Sequence, residues 1–157
     1  MSESLLIGKA KELFVATLLV ARKLHVYFPL VDSGFDLVVG SRDGTLFVPV
    51  QVKYKEKRTG FTLKRDDAEK FAKAEAILVF CSGERVDEEE FYFFPAREWL
   101  ARAQDRARKD DMLVVYAKTH RESADWASQY CGQRGIDATF KSLLERNALG
   151  KASTPTK

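Results

Sequence analysis

Two β-branched and aromatic runs, one from Phe35 to Gly40 and one from Thr45 to Tyr54, flank the tetrapeptide Ser41-Arg42-Asp43-Gly44. Asp-Gly between such runs is a strong short-range hairpin signal, because both residues tolerate the positive backbone angles of a tight turn. The pairing follows from the turn. With Asp43 and Gly44 as its central residues, Arg42 faces Thr45 and Asp36 falls opposite Gln51. Side chains alternate along a strand, so Gln51 and Lys53 share the face of Asp36. Directly opposed Cβ atoms lie about 5 Å apart and diagonal ones about 7–8 Å. The other face receives Leu37, Val39, Leu46, Val48, Val50 and Val52, all apolar. An acid, an amide and an amine therefore gather at one point of a hairpin that is otherwise suited to a core. Pro49 cannot donate to the ladder and marks the place where a bulge would slip this register by one residue.

The rest of the chain supplies a core large enough to bury such a hairpin. At 157 residues, 45% hydrophobic and 31% charged, it has the length and composition of one soluble globular domain, expected over 1–147 with a frayed tail over 148–157. Residues 4–22 read as a helix, apolar on nearly every side from Leu13 to Ala21, which suggests packing against a sheet and against something else. Residues 25–30 are a short strand candidate ahead of the hairpin. A basic loop over 55–65 precedes a helix over 66–73 and a buried strand over 76–81. The acidic stretch GERVDEEE leads to the strand FYFF, and Pro95 opens a helix expected to reach about Arg108. A strand over 112–117 and helices over 122–133 and 137–147, broken at Gly135, complete the chain. The order is that of a mixed α/β sheet domain.

Several classes of function find no support. Cys81 and Cys131 lack metal-ligand spacing, and His25 and His120 stand alone, so neither a zinc site nor a disulfide framework is expected. No stretch is apolar and long enough to span a bilayer, no signal-peptide pattern is present, and a reducing cytoplasm is the expected setting. The net charge of +3 is too mild to identify a partner.

The polar cluster carries chemistry. A carboxylate, an amide carbonyl and an amine at one sheet end suit a hard cation, because Mg²⁺ takes oxygen ligands and leaves room for water and phosphate oxygens. The spacing Asp36-(x14)-Gln51-x-Lys53, downstream of a helix containing Glu12, resembles the PD-(D/E)xK nuclease superfamily, in its Holliday-junction resolvase-like and intron homing endonuclease-like branches. The resemblance covers the first half to two-thirds of the chain. It implies a restriction-endonuclease-like αβββαβ core, a mixed central β-sheet flanked by helices, followed here by C-terminal helices. It also implies a Mg²⁺-dependent endonuclease (Mn²⁺ as a possible substitute) acting on DNA, working as a homodimer or higher homo-oligomer. By the same resemblance Asp36, Glu12, Gln51 and the carbonyl of Val52 hold the metal, and Lys53 is the catalytic lysine. Two positions depart from the pattern. Gln51 stands where the family's second acid stands, removing one negative charge, and Gly34-Phe35 replaces the proline that often precedes the aspartate.

Each of these residues also has a plainer reading. Asp36 can simply follow a turn, with Asp32 as its alternate, and Gln51 and Lys53 can be the solvent face of an edge strand. Glu12 lies on a largely apolar helix face, either reaching the metal or pairing with Lys9 or Lys11. The basic run of Lys55, Lys57, Arg58, Lys64 and Arg65 leaves directly from the site, where a polyanion would lie, and is read as nucleic-acid-binding. A second set, Arg102, Arg106, Arg108 and Lys109, is consistent with either phosphate contact or an ordinary helix face. The principal rival is a catalytically inactive nuclease-fold module that binds DNA or protein. A third reading places the activity in the last helices.

Overall fold

A computed structural model describes residues 3–31, 34–55, 60–83, 89–106, 111–116 and 121–152. Helix α1 (Glu3–Ala21) ends without glycine: Lys23 takes the left-handed conformation at φ 64°, and Leu24 N–H closes on the Leu19 carbonyl at 3.2 Å. Strands β1 (His25–Tyr27), β2 (Leu37–Gly40) and β3 (Phe47–Lys55) follow as an antiparallel run. After β4 (Phe61–Lys64) and α2 (Arg65–Lys73), β5 (Ile77–Ser82) returns parallel to β3, and β6 (Glu90–Pro95) pairs antiparallel with β5. The five-stranded sheet has the order β1-β2-β3-β5-β6, which places β3 at its centre. The remaining elements are α3 (Ala96–Arg102), β7 (Gln104–Asp105), β8 (Met112–Val115), α4 (Arg121–Ser128), α5 (Gly132–Thr139) and α6 (Lys141–Ala152). The expected mixed α/β architecture with flanking helices is the one observed.

Each face of the large sheet has its own core. On one face Leu37, Val39, Val50, Val52, Val79 and Phe93 meet Val15 and Leu19 of α1, Ile136 of α5, and Phe140 and Leu143 at the α5–α6 junction and in α6. On the other, Leu78, Phe80, Tyr92 and Phe94 are covered by α2, α3, the end of α4 and a second sheet of order β4-β8-β7. Aromatic rings dominate that side: Phe61 stacks on Phe80 at 4.7 Å, and Phe94 on Trp126 at 5.0 Å. The aromatic set from Phe91 to Phe94, with Trp99, is core as expected, and Trp126 and Tyr130 pack on the domain itself.

The hairpin register holds, with a wider turn. Leu37 pairs with Val50 and Gly40 with Phe47, and Pro49 sits in the ladder opposite Val38 with no slip. The turn has more residues than the expected pair. Ser41 N–H bonds Leu46 O at 2.8 Å, Gly44 N–H bonds Ser41 O at 3.0 Å, and Ser41 Oγ accepts from Leu46 N–H at 3.0 Å. The side chain of Ser41 thus holds a longer loop in the same alignment.

Four expectations change. Residues 61–64, placed in a loop, form β4, because Phe61 and Leu63 bury themselves against β8. The helix after Pro95 stops at Arg102 instead of reaching Arg108, since Gln104 and Asp105 pair with β8. Gly135 lies inside α5 and breaks nothing. A Cβ there would come within 1.9 Å of the Tyr130 carbonyl, so the glycine permits close packing. The last helix runs past residue 147 to Ala152. Among the described residues no helix is long and apolar enough to cross a membrane.

Candidate active site

Asp36 sits where β2 begins, delivered by a turn through Gly34, whose φ of 79° favours glycine. Its backbone N–H bonds Val50 O at 3.0 Å, and its carboxylate then takes over the ladder: Oδ2 accepts the Val52 N–H at 2.7 Å. The same oxygen accepts a hydrogen bond from Gln51 Nε2, which also donates to the Val52 carbonyl at 3.3 Å. The contact expected from the hairpin register is therefore present. Gln51 pairs with Leu78 and Lys53 with Phe80 across the parallel β3–β5 ladder, so both project onto the aromatic face of the sheet. Gln51 is only 7% exposed and Lys53 is half-buried, so neither belongs to an open solvent face of an edge strand. Strand β3 is central, which removes the edge-strand alternative.

Electrostatics tie the cluster together. Burial pushes the Asp36 carboxyl above its ordinary range, and the Val52 N–H bond opposes this. The charge of Glu12 raises it further, while Lys53 and Lys9 lower it. Four ionisable groups thus sense one another at this end of the sheet. Glu12 takes the plainer of its expected readings, its carboxylate pairing with Lys9, while its charge also acts on Asp36. Lys11 instead pairs with Glu89. Lys53 makes no hydrogen bond or ion pair among the described residues, which leaves its ammonium available to a ligand. Lys9 was missed as a site neighbour, although its position three residues before Glu12 is the signal that finds it.

The donor set suits a hard cation. Asp36, Glu12 and the Val52 carbonyl would offer oxygen donors only, with no soft ligand among them. Among the described residues no group of three or more His, Cys, Asp or Glu side chains forms a metal cluster. The NH₂ of Gln51 faces both Asp36 Oδ2 and the Val52 carbonyl, to which it donates. A half-turn of the amide would present its Oε1 there instead.

The basic residues divide. Lys55 donates to the Gly60 carbonyl at 2.6 Å, and its pKa is lowered by burial and then by Arg106. Arg106, in the ambiguous second set, thus stands beside the first set. Arg65 is paired with Asp105, and Lys64 is exposed. Arg102 lies over the ring of Trp126 at 5.0 Å. Lys57, Arg58, Arg108 and Lys109, together with Asp32 and His120, lie outside the described residues.

The five-stranded mixed sheet with its flanking helices is a fold already known. Two solved structures share it. The Holliday junction resolvase Hjc of the archaeon Archaeoglobus fulgidus aligns with TM-score 0.53 and 15% identity, over 76% of this chain and 88% of its own. The bacterial homing endonuclease I-Ssp6803I aligns with TM-score 0.53 and 17% identity, over 98% of this chain and all of its own. At these identities the likeness is one of fold. No protein-family model and no curated protein sequence matches the chain.

Proposed function

We propose that the protein is a divalent-metal-dependent endonuclease that hydrolyses phosphodiester bonds in DNA, in a homing, resolvase-like, restriction or repair role. The observation that carries this is the convergence of Asp36, Gln51 and Lys53 on one face of the central strand, with Glu12 beside them. Asp36, Glu12, Gln51 and the Val52 carbonyl would hold Mg²⁺ or Mn²⁺. When bound, such an ion polarises the phosphate and lowers the pKa of coordinated water. Asp36 fixes the site through its ladder-like bond to Val52. Lys53 orients the attacking water and offsets the charge that builds on the phosphoryl oxygens. Lys55, at the end of β3, and Lys64, at the end of β4, would hold the flanking phosphates. No covalent enzyme intermediate is required, and in this reading a homo-oligomer supplies one such site per strand of duplex.

A second reading is a DNA-binding module that does not cut. It is favoured by the two N–H donors that already occupy Asp36 Oδ2. The experiment that separates the two is incubation of plasmid, branched and single-stranded DNA with Mg²⁺ or Mn²⁺. The nuclease reading expects cutting that chelation stops and that Asp36→Ala or Lys53→Ala abolishes. DNA retained in a gel shift but uncut with either metal establishes the binding module.

A further inference from the structure

A cavity of about 780 Å³ opens at the end of β2 remote from Asp36. Its walls are the end of α1, the edge strand β1, Arg42 and part of α6. Asp36 precedes β2 and Arg42 follows it, so the cavity and the candidate active site stand at opposite ends of one strand. Val20, Leu24, Val26 and Leu144 give the cavity an apolar lining, and the ring of Tyr27 beside them is 46% exposed. Size and lining are those of a site for a small organic ligand, for which roughly 300–1,000 Å³ is usual.

Its charge is one-sided. Arg22, Lys23, His25 and Arg42 line it, and none of the described residues lining it carries a carboxylate. The side chains of Lys23, His25 and Arg42 are exposed and make no hydrogen bond or ion pair among the described residues. Arg22 pairs with Asp137 through one terminal nitrogen, yet its Nε is buried with no hydrogen-bond partner among the described residues. Asp43, the acid next to Arg42, is itself taken by Arg146 at 2.8 Å.

The fold does not use these cations. Lys23 is not needed as a cap for α1, because the backbone N–H groups of Lys23 and Leu24 already bond the carbonyls of Val20 and Leu19, at 2.8 and 3.2 Å. Lys23 does this at a φ of 64°, a conformation that glycine adopts at lower cost. Asn147 of α6 then ties the two cation-bearing segments together. Its Oδ1 accepts the Arg42 N–H at 2.7 Å, and its Nδ2 donates to the Lys23 carbonyl at 3.2 Å. One amide thus fixes the backbones of Lys23 and Arg42 relative to each other before any ligand arrives, which lowers the cost of binding.

We propose that this cavity binds a small phosphate monoester with a flat apolar body, of the nucleoside monophosphate kind. Such a phosphate brings close to two negative charges and three strong acceptor oxygens, which match Lys23, His25 and Arg42 better than the single charge of a carboxylate. Arg42 supplies a planar fork of donors and Lys23 a compact charge. The body covers the apolar lining, and a planar ring suits the exposed face of Tyr27. No lining residue belongs to the Asp36 cluster, so the proposal does not depend on catalysis.

Isothermal titration of the full chain with adenosine 5′-monophosphate tests it, in EDTA so that no divalent ion recruits phosphate to Asp36. One site per chain is expected. Adenosine, inorganic phosphate and a dinucleotide bearing only a phosphodiester are each expected to bind at least about tenfold more weakly. Lys23→Gln and Arg42→Gln should each weaken the monophosphate by about tenfold or more with an unchanged melting transition, since each removes a charge-assisted hydrogen bond. Lys53→Met and Lys55→Ala should bind it as the wild type does. The proposal is overturned by no saturable binding, or by phosphate alone or the phosphodiester binding as tightly. Binding that Lys53→Met abolishes and the Lys23→Gln/Arg42→Gln double variant retains would overturn it as well.

Discussion

The two faces of β3 differ sharply in chemistry. Towards α1, Val50 and Val52 are buried among Leu37, Val39 and Val79, and nothing polar interrupts them. One residue along in each case, Gln51 and Lys53 face the aromatic side, where a buried amide, a half-buried ammonium and a destabilised carboxylate meet. The apolar face follows packing rules alone. The polar end departs from them and gains from folding only if something else is present to bind. A local departure from packing rules inside an otherwise consistent fold marks a functional site.

The contrast can be broken first from its apolar side. Leu37→Ala is expected to lower stability by about 2–5 kcal/mol in chemical denaturation, because Leu37 is wholly buried beside the site and its truncation leaves a cavity. The polar side should respond with the opposite sign. A carboxyl whose folded pKa is raised contributes stability below its ordinary value of 3.8 and loses it as pH climbs through the folded pKa. Ionisation of Asp36 therefore works against the fold at neutral pH, so Asp36→Asn is expected to melt no lower than the wild type at pH 7 while abolishing activity. A thermal melt that falls instead would mean that the carboxylate serves the fold.

Weaker effects sharpen the picture at the edges of the site. If Lys55 and Arg106 each contact one phosphate, replacing either with alanine should reduce the salt slope of DNA affinity by about 0.9, with little change in the fold. Unchanged slopes would confine DNA contact to other cations. The smallest expected effect lies at the turn. Hydrogen bonds from Arg146, Ser41 and Thr45 hold the Asp43 carboxyl well below its ordinary range. Its contribution is present above pH 3.8 and lost as pH falls through the folded value. Asp43→Asn should therefore melt slightly below the wild type at pH 7, and the gap should close on acidification and in high salt.

The hairpin was legible because its determinants are local. Asp43-Gly44 centres the turn, and alternation assigns every side chain to a face. Even the longer loop preserved the pairing, because Ser41 Oγ closes on Leu46 N–H. The strand β4 was not legible for the opposite reason. Phe61 and Leu63 alternate with Thr62 and Lys64, but only four residues carry the pattern inside a basic run, and the partner Met112–Val115 lies far along the chain. Gly135 misled because a glycine that admits a neighbouring carbonyl looks like a helix breaker in one dimension. Within the site, the sequence located Asp36, Gln51 and Lys53 relative to one another. It did not reveal that the Gln51 amide donates to both Asp36 and the Val52 carbonyl, or that Glu12 would pair with Lys9 and still act on Asp36. Those facts depend on how α1 lies across the sheet end.

The central claim is that the polar end of β3 cuts DNA rather than merely holding it, and Lys53 separates the two. The decisive measurement is single-turnover cleavage of saturated, prebound DNA in Mg²⁺, with affinity measured on the same samples, for wild type and Lys53→Met. The account predicts nearly unchanged binding and a cleavage rate reduced by about 10²–10³-fold. Equal rates in the two proteins would contradict it.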